Sequence, residues 1–74
     1  MRIQDFKNKI PFGGYEEISK RAKVNKSAII QYISGSKKAS IKKELELIRV
    51  ILNYLKEIKE EREALQRDFN ELEQ

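Results

Sequence analysis

Lys26, Ser27, Ile30, Gln31 and Ser34 recur at a spacing that places them on one face of a helix, opposite Ile29 and Ile33. The chemistry open to such a set is recognition rather than bond making. In a DNA major groove Gln31 can pair two-fold with adenine, Ile30 can touch a thymine methyl, and Lys26 can take guanine or a phosphate. Ser27 and Ser34 can reach base edges or flanking phosphates. Ile30 also has a plainer reading, as an extra core contact or a lone apolar residue on the surface. Covalent chemistry has little to work with. The chain has no histidine and no cysteine, so the usual imidazole base, thiolate nucleophile and metal ligands are missing. Its three glycines fit corners and caps rather than a phosphate loop, and its carboxylates crowd toward the C-terminus. No enzyme activity, metal, cofactor or small-molecule ligand is expected.

The elements that must hold this face are short. Ile18 and Ala22 are four apart, Val24 stands alone in a polar turn, and Ile29 and Ile33 are again four apart. That is the pattern of two short helices crossing at a tight turn and sharing one small core. Asn25 is a strong N-cap for the second helix, and Gly35 suits its left-handed end. Ser19 falls where the helices approach, and its hydroxyl is expected to bond back to its own helix. Upstream, Ile3, Phe6 and Ile10 suggest a helix over residues 2–10, ended by Pro11. Phe12 is expected to tuck into the core, and Gly13 and Gly14 to make a flexible corner. Tyr15 would cover the core edge or offer its hydroxyl to a phosphate.

The segment Val24-Asn25-Lys26-Ser27-Ala28-Ile29-Ile30-Gln31-Tyr32-Ile33-Ser34-Gly35 resembles the "V-S-x-x-T-V-S-R-x-L-N-G" segment of repressor-type helix-turn-helix proteins. These include lac-repressor-headpiece-like and phage-repressor-like regulators. The residues before it, Glu17-Ile18-Ser19-Lys20-Arg21-Ala22-Lys23-Val24, are similar to their "x-I-A-x-x-A-G-V". The resemblance implies that Asn25 and Ser27 lie near the phosphate backbone and that Lys26, Ser27 and Gln31 lead in base reading. Two positions depart from the pattern. Ser19 replaces an alanine, and Lys23 replaces the turn glycine, which puts a side chain where positive φ is expected at about 1 kcal/mol.

Charge is divided along the chain. Residues 1–43 carry eleven Lys/Arg and three Asp/Glu, a balance of +8; residues 44–74 carry five and nine, a balance of −4. A basic head with an acidic tail suits a polyanion-binding protein whose tail stays off the polyanion. Lys37 and Lys38, in a short loop after the second helix, are placed for backbone contacts.

Ser40 can cap a last helix, and residues 41–73 contain no Gly or Pro, which allows a helix of roughly 50 Å. One apolar stripe, Ile41, Leu45, Ile48, Leu52 and Leu55, is expected to close the core. A second runs through Ile48, Ile51, Leu55, Ile58, Arg62, Leu65, Phe69 and Leu72 with alternating steps of three and four, an a/d seam broken by Arg62. Beyond Ile58 the head is out of reach, so Ile51, Leu55, Ile58, Arg62, Leu65, Phe69 and Leu72 are expected to meet a second copy. Arg62 would then select register by reaching a glutamate. A frayed monomeric tail is the alternative.

The expected fold is therefore all-α: a helix-turn-helix head of three short helices, residues 1–55, and a coiled-coil-forming extension, residues 56–74. The expected function is sequence-specific binding of double-stranded DNA by a small bacterial or phage regulator of repressor type. It would act as a cytoplasmic homodimer on half-sites about one turn, ~34 Å, apart. Alternatives are a packaging or architectural oligomer resembling small phage terminase subunits, and a helical protein-interaction module that binds no DNA. The N-terminus has no signal-peptide core and no run is apolar enough for a membrane span.

Overall fold

Helix-starting residues set the frame. Asn25 accepts a hydrogen bond from the Ser27 N–H through Oδ1 at 3.0 Å, and Ser40 Oγ accepts from the Lys43 N–H at 3.2 Å. In the computed structural model, which describes residues 1–73, a 3-10 helix at Ile3–Phe6 precedes three α-helices. These are α1 (Gly14–Ala22), α2 (Lys26–Ser34) and α3 (Ile41–Leu72). There is no strand among the described residues. Residue 74, the end of the expected extension, lies outside them.

Each head element contributes little apolar surface, and the core exists only where all four meet. Ile3 and Phe6, Ile18 of α1, Ile29 and Ile33 of α2, and Leu47, Ile48 and Ile51 of α3 form one buried cluster. Tyr15, Val24, Tyr32, Tyr54 and Leu55 are half-buried around it. Tyr15 thus covers the core edge. The 3-10 helix and α1 form the middle layer, with α2 and α3 each packed on both.

The turn between α1 and α2 is held by bonds from both sides. The backbone N–H groups of Lys23 and Val24 donate to the Ser19 carbonyl, and Ser19 Oγ donates to the Val24 carbonyl at 2.6 Å. The Ser19 hydroxyl therefore spans the turn instead of bonding back along α1. Lys23 sits at φ 56°, the only described residue besides glycine with positive φ. Its Cβ is crowded there, and its side chain is exposed. Lys23→Gly should raise stability by about 0.5–1 kcal/mol, read as a higher midpoint in thermal melts. An unchanged or lower midpoint would show that the turn is not strained.

Three further expectations are corrected. The helix over residues 2–10 is only the 3-10 helix Ile3–Phe6. Its start is fixed by tertiary bonds, since Glu44 Oε2 accepts from Ile3 N–H at 3.0 Å and Arg2 Nε at 2.9 Å. Phe12 is fully exposed. The Pro11 carbonyl accepts the Gly14 N–H at 2.9 Å, and Gly13 has φ 81° and ψ −7°, as in a type II turn. Phe12 then occupies the outer corner. Gly14 is a packing residue: a Cβ there would lie 2.6 Å from Ile10 Cγ2 and 3.2 Å from the Tyr54 ring.

The third correction concerns α3. Ile41, Leu45 and Leu52 are exposed, and the core-facing residues are Leu47, Ile48 and Ile51, with half-buried Glu44, Tyr54 and Leu55 beside them. At 3.6 residues per turn this face is rotated by roughly 80° from the expected stripe. Ile51, expected in the intermolecular seam, is 0% exposed inside the head. The helix outruns the head. The molecule measures 51 × 21 × 19 Å, and burial along α3 fades at Ile58. Leu65 is 61%, Phe69 55% and Leu72 85% exposed. No helix among the described residues is long and apolar enough to cross a membrane.

Candidate nucleic-acid interface

Burying Ile29 and Ile33 decides which way α2 turns its other face. Lys26, Ser27, Ile30, Gln31 and Ser34 are all exposed, and Ile30 remains 43% exposed beside a core of isoleucines. The five residues singled out by spacing therefore share one open face.

Not every group on that face is equally free. The Ser34 hydroxyl donates to the Gln31 carbonyl at 3.1 Å and lies 3.1 Å from Ser36 Oγ. That carbonyl also accepts the Lys37 N–H at 3.2 Å. These bonds finish the last turn of α2 and bring the basic loop back against it. The side-chain amide of Gln31 makes no hydrogen bond within the described residues. Lys37 Nζ lies 5.3 Å from the centroid of the Tyr32 ring, so the ring holds the ammonium beside α2. Lys38 is exposed next to it, and Asn25 is exposed at the other end of α2 as its cap. Tyr15 is half-buried on α1 and belongs to the core margin.

The head's cations fall into two groups. Both arginines of residues 1–43 are used internally. Arg2 Nε meets Glu44, and Arg21 meets Glu17 at 3.0 Å and Glu57 of α3 at 2.6 Å. Arg21 also lies over the Tyr54 ring, 5.2 Å from its centroid. Its guanidinium is raised above the ordinary range by hydrogen bonds to Glu57 and then Glu17, and Glu57 is correspondingly lowered by Arg21. Glu44 is lowered by the Ile3 N–H first and Arg2 second. Among the described residues no lysine enters an ion pair, so the lysines of residues 1–43 carry the uncompensated charge. Sequence spacing places Arg21 on the outer face of α1, whereas the fold turns it onto α3. The i, i+4 spacing is the sequence signal for the pair with Glu17; the bond to Glu57 has none. Tyr32 carries no sequence signal as a support for Lys37.

No group of three or more acidic residues able to hold a metal is present among the described residues. The expected seam residues split into three sets. Ile51 belongs to the head core, Leu55 and Ile58 are half-buried at its edge, and Arg62, Leu65, Phe69 and Leu72 are exposed on the protruding helix. Comparison with family models, with curated proteins and with solved structures finds no match to this chain.

Proposed function

We propose that the chain is a sequence-specific double-stranded DNA-binding protein, a small regulator of repressor type, acting in the cytoplasm as a homodimer. The observation that carries this reading is the exposed α2 face of Lys26, Ser27, Ile30 and Gln31, flanked by unpaired Lys37 and Lys38. On this reading α2 enters the major groove. Gln31 and Lys26 address base edges, Ile30 offers an apolar contact, and Asn25, Ser27, Lys37 and Lys38 lie along phosphates. Behind the reading helix, Arg21 ties α1 to α3 and Arg2 ties the start of the 3-10 helix to α3. Its resemblance to repressor-type helix-turn-helix segments supports the same assignment.

Selection of bound duplexes from a random pool, followed by titration at several salt concentrations, tests the reading. Affinity should fall steeply with salt. Gln31→Ala should flatten preference at one or two base pairs, by about 1–3 kcal/mol each, and leave the salt slope unchanged. Lys37→Ala should weaken all duplexes alike and reduce the slope by about one. No duplex binding at low salt would sink the reading.

A further inference from the structure

The face of α3 that packs on the head and the face that emerges beyond it are the same face. Leu47, Ile48 and Ile51 are buried by the head, and Ile58, Arg62, Leu65, Phe69 and Leu72 continue their line at alternating three- and four-residue steps. A partner helix seated on the protruding part therefore lies in line with the head, and the head blocks its further path. Two copies running parallel and in register would need the face at residues 47–55 for each other, and in each copy it is already filled. An antiparallel copy needs only the protruding part.

The junction is shaped for such an end. A groove there is lined by Pro11 of the head and by Leu55 and Ile58 of α3, with Lys9, Lys59 and Arg62 on its rim and Glu63 as its one acid. The far end of the same helix carries Asp68, Glu71 and Glu73 with no cation after Arg67, and exposes Phe69 and Leu72. The groove is thus basic and the tip acidic, and parallel pairing would stack acidic tip on acidic tip.

We propose that residues 55–72 pair antiparallel with the same segment of a second copy, each acidic tip lying in the other chain's groove beside Pro11. The inference rests on reading the tail seam as a surface for a second copy. Leu72 then faces Leu55, Phe69 faces Ile58, and Arg62 faces Leu65 of the partner subunit. All six seam layers are used. Arg62 comes to lie between Glu61 and Asp68 of the partner subunit, where a charged seam residue sets register. The two heads stand at opposite ends of the pair.

The chain has no cysteine, so Glu46→Cys on the outer side of α3 gives one spin-label site per copy. Position 46 is about 17 residues from the dyad, so antiparallel labels should be about 55–60 Å apart. Parallel pairing would bring them to about 20–25 Å. Sedimentation of the same sample gives the mass. A dimer with the long distance supports the proposal. A dimer with the short distance overturns the orientation alone, and a monomer at high concentration overturns the pairing itself. Reversing the tip (Asp68→Lys, Glu71→Lys, Glu73→Lys) should weaken the dimer tenfold or more at low salt. Adding Lys9→Glu and Lys59→Glu should restore it, and no restoration would overturn the groove contact.

Discussion

Truncating Ile51 to alanine should lower the stability of the head by about 2–5 kcal/mol. Ile51 is fully buried among the apolar side chains of the core, so the missing carbons leave a cavity that a small, four-element core refills poorly. A chain of this size is stabilised by only roughly 4–11 kcal/mol in total. The melting midpoint should therefore fall on the order of 10–30 °C, at every protein concentration. Leu65→Ala provides the contrast. That residue touches no part of the head core, so its loss should reduce only the concentration dependence of melting. If Ile51→Ala changed the concentration dependence and spared the dilute midpoint, Ile51 would be a seam residue after all.

Replacing Lys26, Lys37 and Lys38 together with glutamine should weaken duplex binding on the order of 10²–10³-fold near 0.1 M salt. The two phosphate contacts of Lys37 and Lys38, at about 0.9 each, would also take roughly 1.8 from the slope of log affinity against log salt, while loss of Lys26 removes a base-edge contact. The fold should hardly notice, since all three side chains are exposed and none makes an ion pair among the described residues. Filter-binding or anisotropy titrations measure the affinity, and circular dichroism melts measure the fold. Full affinity in the triple variant would move the interface away from α2, whereas lost affinity with a lowered melting point would point to a structural role.

Much of the local structure was legible because it depends on neighbours within a few residues. Asn25 and Ser40 cap their helices through bonds to N–H groups two and three positions on, and Gly35 takes the left-handed end of α2. The positive φ of Lys23 was implied by the resemblance, whose pattern has a turn glycine at that position. The five α2 residues are exposed together because Ile29 and Ile33 leave the helix only one way to face. What misled was reach. Phe12 reads as core material by type, yet a type II turn through Gly13 holds it at an outer corner. Ile3, Phe6 and Ile10 fit a helix by spacing, yet only one 3-10 turn, Ile3–Phe6, forms, and Glu44, far along the chain, anchors its start through the Ile3 N–H.

An all-helical chain, the short pair of helices, the open face of α2 and a last helix too long for its head can all be read from the residues. Each follows from propensity, capping and periodicity, which act over one or two turns. Which of two overlapping stripes on α3 meets the head depended instead on packing between distant elements. Leu47, Ile48 and Ile51 fill the space left by Ile18, Ile29 and Ile33, whereas Ile41, Leu45 and Leu52 stay in water. That packing also turned Arg21 from the outer face of α1 onto Glu57. A helix with apolar residues on adjoining stripes can be rotated to bury either, and close packing against the other elements selects one.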